Sequence, residues 1–205
     1  TFFQARSVSP EFVTLDDILE IDMDGNVLND TRRPYGERIL HARILANRPD
    51  VNCVFHGHPA DVLPFCCCPD VPLLPVMNYG SMYYEGCGWY DSSDVSSGMI
   101  VVTAEEGERV NRAMEGKYAV LMRGHGISTA APNMFQLVID TMLLIKNAKI
   151  QQQCLAMGGT PKCCIEEEGR AYRKITHGEN ALVRQWNFYV NRAKKAMPDI
   201  ADINI

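Results

Sequence analysis

The sequence predicts an α/β protein. Three observations carry that expectation. Short strand-like runs are interspersed with longer helical patterns along the 205 residues. The run Thr103-Ala104-Glu105-Glu106 has the spacing of a capping box, with Thr103 as N-cap and Glu106 three residues on. Pro132 stands at the head of a long apolar-periodic segment, where its fixed φ favours a first helical turn. The alternation is too irregular to require a doubly wound parallel sheet.

In chain order, Thr14 to Val27 reads as a polar turn followed by a strand, in which Ile18, Glu20 and Asp22 alternate with Leu19, Ile21 and Met23. Asp24-Gly25-Asn26 is a turn signal of the hairpin kind. After Pro34, residues Ile39, Leu40, Arg43, Ile44 and Leu45 mark one helical face, with Glu37 in the first turn. That helix should end near Asn47-Arg48, because Pro49 disfavours helical geometry before it. Val51 to His58 reads as a strand, Val71 to Asn78 as another short one, and Asn78 to Asp91 as loop. Met99 to Val102 is expected as a short apolar strand, followed by the capped helix to about Glu115 and a stop at Gly116. Tyr118 to Met122 is a strand leading into Arg123-Gly124-His125-Gly126. The long helix from Pro132 should reach about Leu155 and end at Gly158-Gly159, and a last helix should cover Glu179 to Met197. With no repeat and no evident linker, residues 1–205 are expected to form one domain, with 160–205 as a C-terminal helical extension.

Bulk properties narrow the function. A hydrophobic content of 46% supports a core. A formal charge of −5 argues against a nucleic-acid binder, which would carry a basic face. No apolar run approaches the roughly 20 residues that span a bilayer. The chain opens at Thr1 without Met, in what reads as mid-strand, so a trimmed N-terminus is expected. The eight cysteines (Cys53, Cys66, Cys67, Cys68, Cys87, Cys154, Cys163 and Cys164) contain no C-x-x-C pair. They are expected to be reduced structural thiols in a cytoplasmic protein.

The chemistry concentrates in histidines. His56 and His58 lie two apart on a strand, so their rings share a face. His125 sits between two glycines directly after a strand, with room around the ring. Three imidazoles with an open fourth position match a catalytic rather than a closed structural metal site. His41, within a helix, and His177, in a polar loop, have duller readings as ordinary polar residues.

The stretch ERILHARILANRPDVNCVFHGHP, followed by LMRGHG, resembles the class II aldolase/adducin superfamily. The matching elements are Glu37, a helix, Arg48-Pro49-Asp50, a strand, His56-Gly57-His58-Pro59 and, later, His125; the likeness runs from about Phe2 to Leu155. The resemblance implies an α/β/α sandwich with a central, mostly antiparallel sheet, assembled as a homotetramer with active sites between subunits. It implies that His56, His58 and His125 hold one divalent transition metal ion, Zn2+ first and Mn2+, Co2+ or Fe2+ equally served by imidazole. It makes Glu37 the acid/base, where the residue alone would read as a helix-start carboxylate. Tyr79 is a match for the active-site Tyr of the aldolases, although the loop length there differs.

The Gly-Asn-x-Ser segment and the later Thr-Gly or Ser-Gly turn with which sugar-phosphate aldolases cradle phosphate are not recognised in this sequence, and a trimmed N-terminus would hide only the first. Instead FFQARSVSPEFVT resembles the branch of decarboxylases of aromatic and pyridine dicarboxylates. On that likeness Arg6, Ser7 and Ser9 lie near a substrate carboxylate; strand-end and turn chemistry explains them equally well. The aromatic cluster Tyr83, Tyr84, Trp89 and Tyr90 either lines a ring-shaped pocket or packs an interface. The resulting expectation is a metal-dependent carbon–carbon lyase. Its first form is a decarboxylase of a hydroxylated aromatic or heteroaromatic carboxylic acid, a small-molecule substrate. The alternatives are an aldolase on a small hydroxy-carbonyl compound, an iron-dependent oxidative decarboxylase, and a non-catalytic module like adducin.

Overall fold

The computed structural model describes residues 1–92 and 98–197. Residues 198–205 of the expected C-terminal extension lie outside them. The chain falls into two compact units, residues 1–72 with 87–131 and residues 73–86 with 132–205.

The first unit opens with a small antiparallel sheet of β1 (Phe2–Ala5), β2 (Ile18–Ile21) and β3 (Val27–Leu28). The predicted hairpin joins β2 to β3, and Gly25 turns it with φ +86°, a value only glycine adopts freely. Asp22 braces the turn by accepting from the backbone N–H groups of Asp24 and Asn26.

The helix α1 (Arg38–Asn47) follows, burying Ile39, Leu40, Ala42 and Ile44. The Arg-Pro-Asp segment after it has a structural reason. The Arg48 guanidinium grips Asp50 through two hydrogen bonds of 2.8 and 2.7 Å and donates to the Lys117 carbonyl at 2.9 Å. It thereby ties the end of α1 to the start of a later strand.

The principal sheet contains β4 (Cys53–Gly57), β5 (Gly88–Tyr90), β6 (Ala119–Met122) and β7 (Gly126–Ala131) in the order β4-β7-β6-β5. Pairs β4–β7 and β7–β6 are antiparallel and β5–β6 is parallel, so the sheet is mostly antiparallel, as the resemblance implied. A short helix, α2 (Leu63–Cys67), packs along β6 and β7. The capped helix α3 (Ala104–Ala113) has both halves of its box formed by Thr103 and Glu106.

Helices α1 and α3 cross closely at Gly107, where any Cβ would meet Arg43 Cγ at 2.7 Å. Leu40 and Ile44 from α1, Val110 and Met114 from α3, and Val120, Met122 and Ala130 from β6 and β7 then form one core, all at most 4% exposed. Each such large aliphatic side chain contributes about 1.5–3 kcal/mol of burial free energy. The alternation along β4 puts Val54 and His56 on this same helix-covered face, so the first turn of α1 overhangs the histidine.

Two expected strands are not strands. Met99 to Val102 is irregular because its N–H groups are taken by side chains: Val101 donates to Glu37 and Val102 to Glu106. Val71 to Asn78 is likewise irregular, and in the second unit Leu74 and Val76 donate to the side chains of Gln151 and Asn147. The stretch expected as loop holds a 3-10 turn at Gly80–Tyr83 as well as β5.

The second unit is mainly helical. α4 (Met134–Ala156) is capped by Asn133, so it starts two residues later than Pro132 indicated, and it ends before Gly158 at φ +76°. α5 (Glu166–Thr176) and α6 (Glu179–Ala196) follow. His177 closes α5 and pairs with Asp140 of α4, both carboxylate oxygens lying 3.0 Å from its Nε2. Burial pushes the Asp140 carboxyl up despite that partner. No helix among the described residues is long and apolar enough to cross a membrane.

Candidate metal centre

His56 lies on β4 and His58 just beyond its end, while His125 occupies the tight turn between β6 and β7. The antiparallel β4–β7 register, with His56 opposite Ser128, brings the turn to the histidine pair. One nitrogen from each ring can be chosen so that all three lie within 4.8 Å of one another. The ring centroids are 4.9–5.1 Å apart.

The turn carrying His125 is held from outside the sheet. Gly124 adopts φ +60° and donates its N–H to the Cys66 carbonyl at 2.8 Å, while the Cys66 thiol donates to the Gly126 carbonyl at 3.2 Å. Cys66 of α2 thus clamps both flanks of His125. Burial pushes its thiol up to about 11, so it remains protonated and available as a donor.

Glu37 stands at the N-cap position of α1 but makes no capping hydrogen bond with its side chain. Its carboxylate instead turns toward the histidines, with Oε2 3.2 Å from His56 Nε2 and Oε1 3.4 Å from His125 Nε2. The Val101 N–H donates to Oε1 at 3.3 Å. Burial raises the Glu37 carboxyl, but His56, His125 and the Val101 N–H together outweigh it and leave it below its ordinary value. Burial depresses His125, reinforced by the neighbouring His56 and His58 and opposed by Glu37. A neutral, partly desolvated imidazole is the form that binds a cation.

The protonation of His56 follows from its surroundings. Its Nδ1 is 3.0 Å from the Ile127 carbonyl oxygen and 3.2 Å from Ser128 Oγ. A carbonyl oxygen only accepts, which puts a proton on Nδ1 and leaves Nε2 as the nitrogen that faces Glu37. That Nε2 is buried without a properly directed hydrogen bond, despite its approach to Glu37. A buried imidazole nitrogen without a directed hydrogen bond, beside two further imidazoles and a carboxylate, fits a divalent transition ion.

The remaining predicted residues make contacts of their own. Arg6 is directed at Asp17, 2.5 Å away, and Asp17 is held at about 2 chiefly by hydrogen bonds from Thr14, then Arg6. The Ser7 N–H donates to the Arg33 carbonyl, and the Ser9 carbonyl accepts from Phe12. Tyr79 belongs to the second unit, where the Lys146 ammonium lies 5.5 Å from its ring centre. The aromatic cluster divides: Tyr90 is core of the first unit, whereas Tyr84 of the second lies under Arg170 and Arg173. Ser128 and the Ile127 carbonyl escaped the sequence reading, and Cys66 entered it only as a structural thiol, since only the β4–β7 register and the fold of α2 bring them to the histidines.

Similarity to known proteins agrees with this architecture. Residues 2–152 match the family described as Class II Aldolase and Adducin N-terminal domain. The chain is 27% identical over 166 residues to a 3,4-dihydroxyphthalate decarboxylase of Arthrobacter keyseri, covering 74% of this chain and 62% of that protein. It therefore spans less than two thirds of that relative's length. It is 24% identical over 220 residues to the decarboxylase tropJ of Talaromyces stipitatus, covering 95% of this chain and 82% of that one. Among solved structures an L-fuculose 1-phosphate aldolase superposes with a TM-score of 0.70 at 23% identity, over 85% of this chain and 79% of its own. With the match extending through β1–β7 and into α4, and the paired histidines of β4 facing the turn histidine, the chain belongs to the class II aldolase and adducin family.

Proposed function

We propose that this chain is a divalent-metal-dependent carbon–carbon lyase that decarboxylates a hydroxylated aromatic or heteroaromatic carboxylic acid. The observation that carries the reading is the buried, unpartnered Nε2 of His56, set among His58, His125 and the Glu37 carboxylate. Likeness to two decarboxylases, one named for an aromatic dicarboxylate, supports the substrate class.

In this reading His56, His58 and His125 hold the ion, Zn2+ first among Mn2+, Co2+ and Fe2+. When bound, it supplies Lewis-acid stabilisation of negative charge developing on the substrate. Glu37 manages the proton. Breaking the bond between ring carbon and carboxylate releases CO2 and leaves the electron pair on the ring, and Glu37, or a water it holds, delivers to that position the proton that Glu37 has first taken up from the substrate hydroxyl. Arg6, Ser7 and Ser9 are assigned to the substrate carboxylate, which requires Arg6 to share its guanidinium between Asp17 and the ligand. Tyr79 is assigned as an auxiliary acid/base within a homotetramer whose subunits complete one another's sites.

Elemental analysis of purified protein tests the centre. About one equivalent of transition metal in the parent, lost in the His56→Ala/His58→Ala variant, is expected. A parent that neither contains nor takes up metal overturns the reading. Release of CO2 from hydroxylated aromatic acids is the expected activity, whereas release of an aldehyde from hydroxy-carbonyl compounds would reassign the same centre to an aldolase.

A further inference from the structure

The second unit contains an open cavity of about 270 Å3 whose lining is chemically one-sided. Leu143, buried in α4, contributes to its apolar lining, and the rings of Tyr79, Phe188 and Tyr189 also line it. Two cations, Lys146 of α4 and Arg184 of α6, complete the charged part, and among the described residues no carboxylate lines the cavity. Gln185, the remaining lining residue, donates to the Ala181 carbonyl of its own helix.

The cations differ in their engagement. Lys146 lies 5.5 and 5.8 Å from the ring centres of Tyr79 and Tyr189 and donates to the Tyr189 hydroxyl at 3.3 Å, so its ammonium is held in place by the aromatic walls. Arg184 forms no ion pair among the described residues. Two positive charges with no counter-charge among the described residues draw an anion.

We infer that this cavity is a binding site for a single-ring aromatic carboxylate, formed by residues of the second unit alone. Size restricts the ligand, because pockets for drug-sized molecules run from roughly 300 to 1,000 Å3. The walls favour a planar ring, which stacks on or meets edge-on the three aromatic side chains. The charge donors favour carboxylate over phosphate. Lys146 and Arg184 project from within helices, where backbone N–H groups are already bonded, so the cavity lacks the free amides of a helix start that cradle phosphate. An Arg fork and a Lys point charge suit the two oxygens of one carboxylate.

The site does not rest on the lyase reading, and its test keeps the two apart. Sodium benzoate is titrated by calorimetry into the full chain after metal chelation, and into the His56→Ala/His58→Ala variant. Saturable one-to-one binding of similar affinity in both is expected. Lys146→Gln/Arg184→Gln, two exposed changes, should weaken it at least tenfold while leaving the thermal midpoint in place. Cyclohexanecarboxylate, which lacks the π face, and benzamide, which lacks the charge, should each bind several-fold more weakly. Absence of saturable benzoate binding to the chelated parent overturns the inference, as does unchanged affinity in the Gln/Gln variant or equal affinity for either control compound.

Discussion

The Ile127 carbonyl oxygen lies 3.0 Å from Nδ1 of His56, and this contact decides which face of the imidazole is available to a cation. Ser128 Oγ, 3.2 Å from the same nitrogen, is the second acceptor, and its own hydroxyl reaches Met122 Sδ at 3.9 Å. Ser128→Ala should therefore leave the tautomer in place on the carbonyl but loosen the ring. Metal affinity should fall about tenfold, at the lower end for partners that orient a ligating histidine. Competition against a chelator measures the affinity. In the metal-free protein, nitrogen-15 shifts of His56 should still show a protonated Nδ1. Unchanged affinity would remove Ser128 from the positioning apparatus.

Glu37→Gln separates proton transfer from metal binding. The amide keeps the size of the side chain but cannot donate and take back a proton as a carboxyl does. Turnover should fall at least about 100-fold, the lower range for loss of a general acid/base. Metal stoichiometry should be unchanged. Parallel rate and metal measurements check this, and surviving turnover would assign the proton to another group.

Gly126→Ala probes the closeness of β7 to His58. A Cβ there would stand 2.5 Å from the Gly57 carbonyl oxygen and 2.6 Å from His58 Cδ2. Either the strands part or the His58 ring turns away. A stability loss of about 1–3 kcal/mol is expected, together with at least a tenfold loss of metal affinity. Denaturant titration and chelator competition read the two effects separately, and a variant with parental metal affinity would show that the ring has room to yield.

A histidine outside the proposed ligand set should govern acid stability. Burial first, then the charge of His56, depresses His41 from 6.5 to about 4, against opposing contributions from the Val54 backbone and Glu37. The unfolded chain thus takes up a proton at His41 at a pH where the folded chain refuses it. The stability held above pH 6.5 should decline as pH falls toward about 4 and then level off for this group, by at most about 3 kcal/mol. His41→Gln should flatten that window in denaturant titrations at successive pH values. An equal slope in parent and variant would place the acid sensitivity elsewhere.

How much of this was legible in the sequence depends on the range of the interaction concerned. The β2–β3 turn at Gly25, the Thr103–Glu106 box and the Gly158 stop are written within a few residues of themselves, because caps and positive φ angles are local. The His-x-His pair was equally readable, since strand alternation alone puts both rings on one side. Glu37 could be joined to His56 and His125 in advance only through the family resemblance. Tertiary structure decided the rest. β7, Gly126 to Ala131, is made of small residues apart from Ile127, with no alternating pattern to announce it, and it exists because β4 and β6 offer their backbone groups on either side. Met99 to Val102 had the composition of a strand, yet Glu37 and Glu106 took its N–H groups first. The Cys66 clamp on the His125 turn and the Ile127 carbonyl on His56 each join residues 60 or 71 positions apart. Local sequence set the paired histidines of β4 and the caps and turns around them. Only packing decided which backbone carbonyl meets which ring, because that choice is made by strand register rather than by any neighbour in the chain.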